Sequence, residues 1–142
     1  MQVKVEKLRA DARLPEYKSA QAAGADLHAC LEGPVTIPPF GVALVPTGLA
    51  LEIPEGYQGE VRARSGLALK SGLFVLNGPG TIDSDYRGEL CVILANFSSE
   101  PRVVQPFDRI AQLLIMPVVH VSFEEAPLSS TDRAKNGFGS TG

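Results

Sequence analysis

The chain has no excess of positive charge: 13 Lys and Arg stand against 16 Asp and Glu, a formal net charge of −3. That balance excludes a protein that lives on duplex nucleic acid or an anionic membrane, since both demand a basic surface. Any anionic ligand must then be met by a local site. Long apolar runs are also missing, because the longest, residues 110–121, is broken by Gln112, Pro117 and His120 and falls far short of a membrane span. The opening MQVKVEKLRADARL carries charge from Lys4 onward and has no apolar h-region, so no secretory signal is expected and the predicted location is the cytoplasm. Cysteine is scarce. Cys30 and Cys91 are too few for a disulfide framework and read as buried free thiols in a reducing compartment. His28 and Cys30 are neighbours, but no second ligand pair at finger-like spacing follows, which argues against structural zinc. Nor does Arg9 to Ala23 carry an apolar stripe of helical period, so an ordered loop is expected there.

What the chain does have is 14 Gly and 11 Pro spread through a composition that is 44% apolar. Over 142 residues this makes core material for one domain, cut into pieces that suit short strands better than long helices. Val3 and Val5 alternate with charges as a first strand. In AGADLHACL the set Leu27, Ala29, Leu31 alternates after a bend at Gly24. Between residues 35 and 53 come three β-type runs, VTIPPF, VALVPTGLAL and LEI; residues 57–63 add another, with Val61 and Ala63 on one face. Leu90, Val92 and Leu94 begin a further strand, and two or three more follow, with turns at 96–101 and 105–108. Strands returning at such short intervals predict an all-β sandwich or barrel over residues 1–123. Residues 124–142 have the polar composition of a mobile C-terminal arm. From Phe123 to Gly137 it could extend roughly 45 Å, enough to reach another subunit.

The densest chemistry lies in LNGPGTIDSDYRGELCV, residues 76–92, which reads as a hairpin whose Asp83, Asp85, Tyr86 and Arg87 crowd its mouth. Its glycines expose backbone donors and acceptors able to read a ligand's edge, although the same residue types also make ordinary surface turns. In RSGLA, Arg64, Ser65 and Gly66 precede a run too short for a full helix. The first amides of one helical turn, with the Ser65 hydroxyl and the Arg64 guanidinium, would hold a phosphate; a Ser65 N-cap with Arg64 solvated is the alternative. Gln112 sits inside an apolar run and needs a polar partner, either backbone or ligand. Asp26 reads as a turn former at a strand's start or as a group that orients something beside a site. The arm ends in GFGSTG, an aromatic set between glycines and followed by hydroxyls, which is either a frayed end or a lid.

Together these stretches resemble the homotrimeric dUTP diphosphatase (dUTPase) family, whose five motifs occur here in order: AGADLHA at 23–29, RSGLA at 64–68, NGPGTIDSDYRGEL at 77–90, DRIAQLLI at 108–115, and Arg133 with GFGSTG at 137–142. The resemblance implies a distorted jelly-roll or β-clip barrel, assembled as a homotrimer with sites at the subunit interfaces. It implies hydrolysis of dUTP to dUMP and pyrophosphate, which keeps uracil out of DNA and supplies dUMP for thymidylate synthesis. By the same match Asp83 would hold and deprotonate the water that attacks the α-phosphorus. Tyr86 would lie against the deoxyribose and refuse a 2′-hydroxyl, while Asn77, Thr81, Ile82 and the strand at Cys91 would present backbone to uracil. Arg64, Ser65, Gly66 and Gln112 would hold the phosphates, Arg133, Ser140 and Thr141 the γ end, and Phe138 would stack on the base, with Gly80 and Gly139 also among the substrate-binding residues. Asp26 would be supporting. Mg²⁺ is expected on the triphosphate with no direct protein ligand. The family commonly has glycine at the positions of Ala134 and Asn136, and often proline at that of Ala63. A dCTP deaminase relative or a non-catalytic nucleotide sensor on the same scaffold are the rival readings.

Overall fold

A computed structural model describes residues 1–137. Its elements, in chain order, are β1 (Lys4–Lys7), β2 (Ala25–His28), β3 (Val35–Ile37), β4 (Val42–Pro46), β5 (Leu49–Glu52), β6 (Tyr57–Arg62), α1 (Ser65–Ser71), β7 (Leu73–Val75), β8 (Gly80–Ile82), β9 (Cys91–Asn96), β10 (Arg102–Val104) and β11 (Arg109–Pro117). The expected all-β class holds, and the architecture is a distorted jelly roll. A four-stranded sheet runs β2-β11-β6-β8, a three-stranded sheet β4-β9-β7, and β1-β5 and β10-β3 form two-stranded pairs, all antiparallel. One core joins them: Leu27, Val61 and Leu113 from the larger sheet meet Val45, Val92 and Leu94 from the smaller, with Ile37 and Val104 beside them. Branched apolar side chains spaced two apart supply this interior, as the pleat requires.

Buried polar groups lock the sheets at their ends. Asn96 Nδ2 donates to the carbonyls of Ile37 (3.1 Å), Pro38 (3.1 Å) and Glu100 (2.8 Å), and its Oδ1 accepts from the Ser98 amide and hydroxyl. One side chain thus ties β9 to β3 and to the turn before β10, with every polar atom satisfied. The break between β4 and β5 comes at Gly48, whose φ of +68° is one that glycine adopts at no steric cost. The run VALVPTGLAL therefore splits there, and LEI is the tail of β5 and not a separate strand.

Several expectations are corrected. Residues 76–92 are not a hairpin: β8 pairs with β6 in the larger sheet, whereas β9 lies between β4 and β7 in the smaller. The segment crosses from one layer to the other, which local turn composition does not reveal. RSGLA opens a helix of seven residues, longer than one turn, and its N-cap is Arg64 with extended backbone (φ −88°, ψ 123°), not Ser65. β2 is buried along its whole length instead of alternating, because one face meets the core and the other is covered by charged side chains described below. Ala63 lies beyond the end of β6 and is exposed. The loop at 9–23 is as expected, and Glu16 there makes a backbone bridge to Asp26. Beyond β11 the Val118 amide still bonds to the Gly56 carbonyl (2.9 Å), whereas Val119, Val121, Phe123 and Leu128 are exposed. No helix of the described residues is long and apolar enough to cross a membrane.

Candidate functional site

The predicted residues gather at two stations. At the first, β2 lies directly against β11, with Asp26 opposite Gln112. The Asp26 carboxylate, 2% exposed, accepts Arg64 Nε (3.2 Å) and Gln112 Nε2 (3.4 Å) on Oδ1 and Arg109 Nη1 (3.1 Å) on Oδ2. Arg64 Nη1 also donates to the Arg109 carbonyl at 3.1 Å. Burial pushes the Asp26 carboxyl up, but the Arg109 hydrogen bond, the Arg64 charge and the Gln112 amide outweigh it and hold its pKa below the ordinary value. Two guanidiniums against one carboxylate leave a local positive charge on an acidic protein, which is what an anionic ligand needs. Gly24 makes room for Gln112: a Cβ there would stand 3.0 Å from the Gln112 Cβ. Arg64 is held at the helix N-cap, so Ser65 and Gly66 begin α1 as exposed residues with no acidic group in the first turn to occupy its amides. Of the residues expected to hold phosphate, Arg64 and Gln112 thus meet at Asp26, which serves as their common acceptor and not as a turn former.

The second station is the crossover between the sheets. Gly80, Thr81 and Ile82 form β8, and Asp83 follows as the first residue past the strand. Asp83, Ser84, Asp85 and Arg87 line a cavity of about 630 Å³ with Glu55, Gln58 and His120. Arg87 Nη1 donates to the carbonyls of Ser84 (2.7 Å) and Tyr86 (3.1 Å), so the cation braces the turn from inside. Tyr86 is half exposed and its hydroxyl donates to the Glu89 carbonyl (3.1 Å), which leaves a ring face free. A Cβ at Gly88 would collide with that ring. Asn77 is exposed near Gly80, and a Cβ at Gly80 would stand 3.1 Å from Asn77 Nδ2. Cys91, half-buried, begins β9 opposite Pro46; burial pushes its thiol pKa up, as it does for Cys30, so neither is poised as a thiolate.

The two stations do not meet within one chain. Asp83 follows Ile82, which pairs with Gly59, so it stands level with Gln58 and thereby with Met116 of β11. That is two strand spacings across and four residues along from Gln112, roughly 16 Å on sheet geometry. Arg133 lies in neither station: its Nε bonds the Asn136 carbonyl (3.0 Å) within a turn where Ala134 adopts a left-handed φ of +45°. Phe138, Gly139, Ser140 and Thr141 fall outside the described residues. Another hollow, of about 600 Å³ over Leu69, Phe97 and Arg102, contains none of the predicted groups.

Sequence reasoning missed Arg109. It stands three positions from Gln112, an odd spacing that a regular strand would send to the opposite face. A register shift between Arg109 and Ala111 breaks that alternation and lets both side chains reach Asp26. Only the charge within DRIAQ could have hinted at it.

The dUTPase family model matches residues 10–142. The deoxyuridine 5'-triphosphate nucleotidohydrolase of Hydrogenobaculum sp. is 53% identical over 143 residues, covering 100% of this chain and 99% of that protein. That of Syntrophotalea carbinolica is 53% identical over 141 residues, covering 99% and 96%. Among solved structures, the dUTPase of Staphylococcus bacteriophage 80alpha with dUPNHPP superimposes with a TM-score of 0.86 at 28% identity, covering 99% of this chain and 98% of the other. A mutant dUTPase from phage phi11 of S. aureus, described for its coordination of a structural Mg(II) ion, gives 0.78 at 26% identity, covering 89% and 97%.

Proposed function

The chain belongs to the dUTPase family and is a dUTP diphosphatase, and from that premise we propose how its two stations divide the reaction. The enzyme hydrolyses dUTP to dUMP and pyrophosphate, which removes a precursor of uracil in DNA and supplies dUMP for thymidylate synthesis. Asp83 orients a water on the α-phosphorus and takes its proton. The water oxygen bonds to phosphorus as the bridging oxygen to the β-phosphate leaves with pyrophosphate. A carboxylate suits this because it is ionised near neutrality and accepts on two oxygens. Tyr86 offers its free ring face to the deoxyribose, and the backbone around Asn77, Gly80, Thr81, Ile82 and Cys91 reads uracil. The Asp26 station grips the phosphates through Arg64, Ser65, Gly66 and Gln112. Arg133, Phe138, Gly139, Ser140 and Thr141 close the site from the arm.

The observation that carries this reading is the separation of the stations. A triphosphate is compact, and backbone positions roughly 16 Å apart within one chain favour supply of the water-activating Asp83 and of the phosphate grip by different copies. Two copies would then each supply one station. A third supplies the arm in a homotrimer, which closed rotational symmetry allows without leaving a station unused. Val42 and Leu44, exposed on the same face of β4, offer apolar surface for such packing.

At the phosphate station Asp26 is already committed to Arg64 and Arg109, so a divalent cation there would be carried by the nucleotide's own oxygens. Mg²⁺ carried with the triphosphate would neutralise phosphate charge. The free thiols and the acidic surface support a cytoplasmic setting.

The test mixes Asp83→Asn with Arg64→Ala after partial unfolding and reassembly, at a dUTP concentration low enough that neither variant alone releases appreciable pyrophosphate. Where sites are shared between copies, random mixing restores about one quarter of wild-type pyrophosphate release. No recovery would refute the shared site. Running the wild-type protein against dTTP, dCTP and UTP, with an ammonia assay on dCTP, tests the base and sugar assignments and separates a deaminase.

A further inference from the structure

We propose that Arg109 is a positioning residue of the phosphate station: by occupying Asp26 Oδ2 it prevents a forked Arg64–Asp26 pair and keeps Arg64 nitrogens free for phosphate. The proposal rests on the site reading above and adds a residue that reading does not use.

A guanidinium and a carboxylate left to themselves prefer two parallel bonds, which consume both carboxylate oxygens and one edge of the fork. Here the pairing is divided. Arg64 reaches only Oδ1, through Nε, while Arg109 Nη1 holds Oδ2 at 3.1 Å. The Arg109 backbone adds a second restraint, since its carbonyl accepts from Arg64 Nη1 at 3.1 Å. Arg64 is thereby fixed at two nitrogens, and Nη2 is left for a ligand. Gln112 completes Oδ1 at 3.4 Å. With Arg109 in place Asp26 is only 2% exposed, so removing Arg109 takes from Oδ2 the cationic donor it has in the folded chain. The nearest mobile cation able to relieve it is Arg64 itself, whose side chain is 23% exposed. Removing Arg109 therefore costs phosphate binding through a residue that remains intact. The register shift at Arg109 is what allows this second cation to reach Asp26 at all.

Arg109 is itself 45% exposed, so it could instead touch phosphate directly, and the test separates the two roles. KM and kcat for dUTP are measured for Arg109→Ala, Arg109→Lys, Asp26→Asn, Arg64→Ala and the double variant Asp26→Asn/Arg109→Ala, with circular dichroism confirming the fold. The expected result is that Arg109→Ala raises KM about tenfold, as for a lost charge-assisted bond, with kcat little changed. Arg109→Lys, which still delivers one cationic donor to Oδ2, restores KM to within about threefold. In the Asp26→Asn background, Arg109→Ala adds nothing, because the carboxylate it acts through is gone. Should Arg109→Ala disturb the wild-type fold, that background still carries the comparison, since no buried charge is left unpaired there. A full tenfold loss on top of Asp26→Asn, failure of Arg109→Lys to rescue, or an unchanged KM in Arg109→Ala would overturn the proposal while leaving the station in place. An unchanged KM in both Arg64→Ala and Asp26→Asn would instead bring down the phosphate station and this proposal with it.

Discussion

At the scale of single residues, His28 shows most plainly how burial becomes a measurable property. It lies on β2 two positions from Asp26, is 6% exposed, and its Nδ1 has no hydrogen-bond partner. Burial, followed by the charges of Arg13 and Lys18, lowers its pKa, while Asp26 and Glu16 pull the other way and lose. The unfolded chain then binds more protons than the folded one between the depressed folded value and the ordinary value of about 6.5. Stability is complete above that ordinary value and falls as the pH drops through it. Asp26 acts at lower pH in the same sense, because its folded pKa is depressed and its contribution is lost only on strong acidification. Thermal midpoints measured from pH 7.5 to pH 5.5 should fall for the wild-type protein and fall less steeply for His28→Gln; parallel curves would clear His28. Asp83 is the complementary case, exposed and proposed as the group that activates water. Asp83→Asn should bind dUTP with nearly unchanged affinity by calorimetry and lose several orders of magnitude in pyrophosphate release. Undiminished release would remove Asp83 from its role. Most such residues were readable from the chain, since Asp83, Tyr86, Arg64 and Gln112 stand within distinctive stretches. Arg109 was hidden by an irregularity of register that no period detects.

At the scale of elements, the segment from Leu76 to Val92 is where sequence and structure part most instructively. Glycine-bounded apolar arms around a polar centre read as a hairpin, yet β8 and β9 belong to different sheets. Pairing partners are chosen by long-range packing, here β6 for one arm and β4 with β7 for the other, and that choice leaves no local trace. The turn chemistry was legible all the same. Gly88 sits beneath the Tyr86 ring, whose hydroxyl is tied to Glu89, so the ring's orientation depends on the missing side chain. Gly88→Ala must displace Tyr86. It should lower kcat/KM for dUTP by about tenfold or more, a positional effect on substrate alignment, and should weaken discrimination against UTP. A ratio of dUTP to UTP turnover equal to wild type would show that the ring does not guard the 2′ position. The helix was underestimated for a related reason. Its seven residues bury none of their side chains, so no amphipathic stripe marked it, and its left-handed Gly72 cap (φ +67°) ends it instead.

For the whole molecule, the all-β class is legible in the sequence but the arrangement of copies is not, because whether one chain can complete a site is a property of distances. The sheet register sets Asp83 apart from Asp26 and Gln112 along the larger sheet, and in the proposed reading a neighbouring copy brings them together. The arm is the remaining piece. From Val119 to Asn136 it is exposed, carries Phe123 and Leu128 almost fully in solvent, and makes no contribution to the core cluster. Removing its end should therefore leave folding and assembly intact. A chain ending at Asn136 is expected to keep the wild-type thermal midpoint and the mass of three chains in sedimentation, since the core and the facing surfaces lie upstream. Its kcat/KM for dUTP should nevertheless fall at least about a hundredfold, because the aromatic cover and the hydroxyls assigned to the γ end are gone and water reaches the bound nucleotide. Addition of a separately made arm peptide should recover little of that loss, since tethering supplies an effective concentration near the millimolar range. Full activity in the truncated trimer would mean that the two stations close the site unaided, and dissociation into single chains would move the arm from catalysis to assembly.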